Sequence, residues 1–146
     1  RFGNRGGAYA RTKGRAVILL DTNILIRVMR GDEAVGRHYC ENLGDLAIPA
    51  MVLGELRYGV EKSERREANE RLLDALLESL PVMHTTDAIM RRFAELKASL
   101  DGKGKRIDDA DVLIAATALT YGCPLVTANV RHFSRFDGLE LLDWSV

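Results

Sequence analysis

A run of apolar residues, Ala16-Val-Ile-Leu-Leu20, ends abruptly in Asp21. So short a run, with no polar residue alternating through it, suits a strand buried on both faces, as strands of parallel sheets are. Parallel strands need crossover connections, usually helices, and the rest of the chain supplies that alternation. The spacing predicts a helix over residues 22–30 stopped by Gly31, then a second helix capped by Asp32 and closed near Gly44. Strands follow over 46–48, 82–83, 124–127 and 139–142. Helices fall between them over 51–61, 63–80, 87–100 and 108–121, with a helical turn at 130–133. Leu72, Leu73, Leu76, Leu77 and Leu80 make one apolar stripe on the fourth helix, and residues 101–106 read as a flexible basic loop. This order implies an α/β fold, a three-layer α/β/α sandwich around a short central parallel sheet.

The length of 146 residues suits one such domain, placed at residues 16–146. Residues 1–15 are rich in Gly and Arg without apolar periodicity, and read as a disordered basic tail, an added leader or a regulatory arm. That tail holds five bases and no acid, so residues 16–146 keep 16 bases against 21 acids, a net charge of −5. A negative body does not suit general nucleic-acid binding, where phosphates attract Lys and Arg. It suits carboxylates gathered around a cation, and an anionic substrate would then need metal ions as mediators. No apolar run approaches a membrane span. Cys40 and Cys123 lack the spacing of a zinc or redox motif and read as buried free thiols in a reducing cytoplasm.

Three acids stand out from their surroundings. Asp21 closes an apolar strand, where its charge is costly unless paired, metal-bound or used to cap the next helix. Glu55 is the one charge between Asp45 and Arg57, and calls for a cation or a salt bridge such as Arg57; Gly54 beside it would let a ligand or backbone come close. Asp111 lies with Asp108 and Asp109 in the first turn of a helix that is almost wholly apolar from Val112 onward. Acids favour a helix N-terminus, and Asp108 as the cap accounts for one of them. Three crowded together repel, which a divalent ion would offset. Asp111 is therefore assigned to metal and Asp108 mainly to capping. In an open parallel sheet the site lies beyond the carboxyl ends of the strands, where Asp21 and Thr127 both fall. Oxygen ligands select Mg²⁺ or Mn²⁺. His38, His84 and His132 lack ligand spacing and read as structural or exposed.

These segments together resemble a known family. Leu20-Asp-Thr-Asn-Ile-Leu-Ile26 looks like the opening motif of PIN domains, and Met51-Val-Leu-Gly-Glu-Leu-Arg-Tyr-Gly59 like their second acidic motif. Asp111-Val-Leu-Ile-Ala-Ala-Thr-Ala118 resembles the third, and Leu125-Val-Thr-Ala-Asn-Val-Arg-His-Phe133 with Gly138-Leu139 the closing segment. Four motifs in order cover nearly all of residues 17–144, and the nearest resemblance is to VapC-type toxins of toxin–antitoxin systems, FitB-like members included. The resemblance implies a PIN-like sandwich and a cytoplasmic Mg²⁺- or Mn²⁺-dependent endoribonuclease. Such an enzyme hydrolyses RNA with a metal-activated water, leaves 5′-phosphate and 3′-hydroxyl ends, is often a homodimer, and is held inactive by a cognate antitoxin. It also implies that Asp21, Glu55 and Asp111 are the main acids, with Asn23 and Thr127 in support. Many members carry a fourth Asp where this chain has Asn129; the departure implies either the loss of a second metal ion or that the role falls to Asn129 or Asp109. Lys103, Lys105, Arg106 and Arg131 could guide phosphates beside the site.

Two other readings compete. A phosphatase with an aspartyl nucleophile would carry a second Asp two residues after Asp21, where Asn23 stands. An inactive scaffold serving only as a protein-binding module would have no need of the three intact acids.

Overall fold

The computed structural model describes residues 11–12 and 15–146. Apolar runs form the sheet because each can bury both faces between layers of helices. The central strand is β3 (Ile18–Leu20), preceded by a short antiparallel pair, β1 (Arg11–Thr12) and β2 (Arg15–Ala16). The expectation of a tail without structure over residues 1–15 lies outside the described residues for 1–10 and 13–14; the β1–β2 pair departs from it at the rest.

From β3 the chain passes through α1 (Thr22–Met29) and α2 (Glu33–Glu41) to β4 (Leu46–Pro49). It then runs through α3 (Ala50–Lys62) and α4 (Arg66–Leu77) to β5 (Val82–Met83). It crosses back through α5 (Asp87–Gly102) and α6 (Asp109–Tyr121) to β6 (Leu125–Val126), and closes with α7 (Val130–Phe133) and β7 (Leu141–Leu142). The sheet order is β5-β4-β3-β6-β7, and every pairing in it is parallel. Strands on one side of β3 are made first and those on the other side last. The order therefore reverses between β3 and β6, and a crevice opens there at the carboxyl ends of the strands. Together with the helices this is the three-layer α/β/α sandwich expected from the alternation.

Local signals account for several helix ends. Asp32 Oδ1 accepts from Val35 N at 3.1 Å and opens α2; Thr86 Oγ1 accepts from Ile89 N at 3.3 Å and opens α5. Gly122 ends α6 in the left-handed conformation, φ 65°, which a residue without Cβ adopts at little cost. The core is built from β3 (Leu19, Leu20), β4 (Ala47, Ile48), β6 (Leu125, Val126) and helix α6, which buries Val112, Ile114, Ala115, Ala116 and Ala118. An α-helix apolar on nearly all sides packs as a core element rather than a surface one. Among the described residues no helix is long and apolar enough to cross a membrane.

Several expectations are corrected. Helix α5 runs on through Gly102, so the basic loop is shorter than residues 101–106. Helix α4 starts at Arg66, and its leucines do not share one buried stripe: Leu73 is fully buried, but Leu72 is 45% exposed. The two lie next to each other, about 100° apart around the axis, and the packed face of α4 is centred on Leu73, which leaves Leu72 at its edge. Cys40 is exposed rather than buried; Cys123 is buried, and that burial pushes its thiol up to about 11. Leu73→Ala should cost about 2–5 kcal/mol of stability by opening a cavity, and Leu72→Ala within about 0.5 kcal/mol, as at a surface site. Urea unfolding of the two variants checks this, and equal losses would restore the single stripe.

Candidate active site

Asp21 follows β3 directly and is 5% exposed. Its position is set by the sheet, since Asp21 N donates to Val126 O at 3.0 Å. Its side chain is held from three sides. Oδ1 accepts from Thr22 N at 2.8 Å, which caps α1. Oδ2 accepts from the Thr127 hydroxyl at 2.6 Å and from Asn23 Nδ2 at 3.4 Å. One oxygen caps the helix, and the other is held by Thr127 and Asn23. Burial nevertheless raises its pKa above the ordinary carboxylate value. The hydrogen bonds from Thr127 and Thr22 oppose that rise, and the Asp111 charge adds to it.

Glu55 comes from the interior of α3 and reaches back to α1, where the Thr22 hydroxyl donates to Oε1 at 2.6 Å. Arg57 is not its partner; that guanidinium pairs with Glu70 at 2.8 Å and Asp74 at 2.9 Å on α4. The pKa of Glu55 is also raised, first by burial and then by the charges of Asp21 and Asp111, against the Thr22 hydrogen bond. Asp111, on the first turn of α6, therefore acts electrostatically on both other acids. The tertiary structure brings Asp21, Glu55 and Asp111 within reach of one another's charge, although 34 and 56 residues separate them in sequence.

The supporting residues divide more unevenly. Asn23 uses both ends of its amide, donating to Asp21 and accepting from Ala128 N at 3.1 Å. Thr127 accepts from Asn129 N at 2.9 Å while it donates to Asp21. Asp109 turns out to be held by Lys97, at 2.9 and 3.1 Å. Asp108 occupies the N-cap position of α6 but its side chain makes no capping hydrogen bond, so its assignment to capping is corrected. Its backbone carbonyl accepts from Val112 N at 3.0 Å, as an N-cap carbonyl does, and its exposed carboxylate is solvated instead. A Cβ at Gly54 would meet nothing within 4 Å among the described residues, so none of them requires glycine there for close approach. Lys103, Lys105, Arg106 and Arg131 are exposed; Lys105 and Arg106 line a cleft of about 710 Å³ with Asp108 and Asp109 at the start of α6. Sequence reasoning missed two residues that touch the acids. Thr22 lies inside the opening motif, and His132 puts Nδ1 3.4 Å from Asp111 Oδ2.

The PIN domain family matches residues 18–139. The chain belongs to that family, among its VapC-type members. It is 34% identical over 137 residues to ribonuclease VapC2 of Rickettsia felis, covering 88% of this chain and 98% of that one. It is 33% identical over 128 residues to the tRNA(fMet)-specific endonuclease VapC of Shigella flexneri, covering 87% and 97%. Its fold matches the crystal structure of Rickettsia felis VapBC2 bound to a DNA fragment from their promoter, with a TM-score of 0.82 and 31% identity over 88% of this chain and 98% of that one.

The donor set fits a hard divalent cation, since every side-chain atom offered by the three acids is oxygen. Their mutual repulsion is the kind of charge such an ion relieves. Among the described residues no three His, Cys, Asp or Glu side chains close into a ready-made cage. That is compatible with Mg²⁺, which keeps several waters and is commonly held by one or two carboxylates plus substrate phosphate.

Asp21 and Glu55 both have raised pKa values in the fold. Such groups favour folding below the ordinary carboxylate range, and that contribution is lost as pH rises through their folded values. Asp111→Asn removes one of the charges that raise them. The metal-free variant should therefore melt a few degrees higher than the parent at neutral pH and almost equally at low pH. Scanning calorimetry at the two pH values is the check, and a lower melting point at neutral pH would show that repulsion does not govern the site.

Proposed function

We propose that this PIN-domain protein is a metal-dependent endoribonuclease, the toxin component of a toxin–antitoxin system. The reading is carried by one observation: at the sheet's switch point Thr22 bonds both Asp21 and Glu55, and the segment 127–132 reaches from Asp21 to Asp111. Relatives named ribonuclease and tRNA(fMet)-specific endonuclease support it. Asp21, Glu55 and Asp111 would hold one or two Mg²⁺ or Mn²⁺ ions. When bound, such an ion supplies Lewis-acid activation of the attacking water and neutralises charge on the scissile phosphate.

The chain's own residues do the remaining work. Thr127 and Thr22 N fix both oxygens of Asp21, and the Thr22 hydroxyl fixes Glu55, so the acids are aimed before substrate arrives. Lys103, Lys105, Arg106 and Arg131 give an otherwise acidic body its cationic approach for the RNA backbone. The aspartyl-phosphatase reading loses ground because Asn23 is engaged at both ends in holding the loop after β6 to Asp21. The protein is assigned to the cytoplasm, as a homodimer, with RNA as substrate.

The antitoxin is assigned to a cleft of about 350 Å³ that Glu55 shares with Ile26, Met29, Leu56, Val60 and Leu72. Its apolar wall suits the apolar face of an amphipathic helix. Leu72→Glu should leave the fold intact, because that side chain is exposed, and abolish neutralisation by the cognate antitoxin in a growth assay. Continued neutralisation would move the antitoxin elsewhere.

Incubation with total RNA, with and without Mg²⁺, tests the activity. The wild-type chain should cut only with the metal and leave 5′-phosphate ends. Asp21→Asn and Asp111→Asn should each lower the rate by about 10² or more while remaining folded. Full activity in purified Asp21→Asn protein would remove the acid site from the mechanism, and absence of both cutting and Mn²⁺ binding would leave the scaffold reading.

A further inference from the structure

The segment after β6 touches Asp111 as well as Asp21. His132, on α7, has Nδ1 2.9 Å from Asn129 Nδ2 and 3.4 Å from Asp111 Oδ2. One ring nitrogen thus faces two neighbours, and the place of its proton decides whether both contacts attract. An ionised carboxylate can only accept. If Nδ1 held a lone pair and accepted from Asn129, that lone pair would face the Asp111 oxygen and the two acceptors would repel. If Nδ1 carries the proton, it donates to Asp111, and Asn129 turns its amide oxygen to the same N–H. The two ends of an amide are nearly equal in size, so this half-turn needs no extra room.

We propose that His132 is a positioning residue of the acid site: as the Nδ1–H tautomer, selected by the acceptor-only carboxylate it faces, it donates to Asp111 and orients it. The proposal rests on the reading of Asp111 as part of a cation site. A second feature supports it. Asn129 N donates to Thr127 Oγ1 at 2.9 Å, and the Thr127 hydroxyl donates to Asp21 Oδ2 at 2.6 Å. Residues 127, 129 and 132 therefore join Asp21 to Asp111 through one short segment. Two acids distant in sequence, Asp21 just after β3 and Asp111 on α6, would be aimed jointly by a stretch of chain that carries no acid itself. Partners of this kind around a metal site fix ligand orientation, and their loss commonly costs 10–100-fold in metal affinity. The His132 side chain is 47% exposed, so replacing it removes little core packing.

Two measurements on the full chain test this. Nitrogen-15 NMR of the metal-free protein at alkaline pH, where imidazoles are neutral, should show His132 protonated on Nδ1. Calorimetric titration with Mn²⁺ should show His132→Leu weakened by about tenfold or more. His132→Asn puts its amide N–H near the place of Nδ1 and should recover affinity to within about threefold of wild type. His132→Gln reaches the place of Nε2 and should stay weak. A merely structural histidine would not separate Asn from Gln. The proposal is overturned by a His132 protonated on Nε2, or by His132→Leu binding Mn²⁺ as wild type does. If the wild-type chain binds no Mn²⁺, the cation reading fails, and the nitrogen spectrum by itself decides the contact with Asp111.

Discussion

The hydrogen bond between the Thr127 hydroxyl and Asp21 Oδ2, at 2.6 Å, joins the two strand ends on either side of the switch point. Both partners are buried, Asp21 at 5% and Thr127 at 3% exposure. A buried carboxylate is costly unless its oxygens are satisfied, and Thr22 N on the other oxygen completes the arrangement. The parallel pairing of β3 with β6 is what brings these groups together: Leu19 opposes Leu125 and Leu20 opposes Val126, so Asp21 and Thr127 follow side by side. A one-residue slip would send every side chain of β3 to the opposite face. The apolar register and the polar site above it are thus one constraint.

From that anchor the other acids are placed by packing. Helix α3 carries Glu55, and its Val52, Leu56 and Val60 are buried. Helix α6 is buried around most of its circumference, which fixes Asp111 on its first turn. Neither helix leaves its acid free of the others' charge; burial first, and that crowding after it, raise the pKa values of Asp21 and Glu55. The fold spends part of its stability in holding like charges together, an arrangement that makes sense where a cation is to be bound. Membership of the PIN-domain family gives the same arrangement a context in relatives named as nucleases.

The three acids were legible in sequence because each breaks an apolar setting, and the strand ends were legible because apolar runs stop sharply at Asp21 and Thr127. The parts that misled were those whose environment depends on a distant neighbour. Asp108 has the right type and place for a cap, yet its side chain makes no such bond. Leu72 has the right periodicity for a core, yet it stays 45% exposed at the edge of a cleft. Arg57 lies two residues from Glu55, yet α4 offers it Glu70 and Asp74. Local pattern gives a residue's options; contacts between elements choose among them.

By itself the sequence determined the alternation of strand and helix, the short parallel sheet, and which acids stand at strand ends and helix starts. Those follow from periodicity and capping, which act over a few residues. The tertiary structure alone decided that Thr22 holds Glu55, that Thr127 holds Asp21, and that His132 meets Asp111. These contacts span 33, 106 and 21 residues. Their partners are ordinary polar side chains with no pattern of their own; the pairing of β3 with β6 brings Thr127 to Asp21, and helix packing brings together α1 with α3 and α6 with α7.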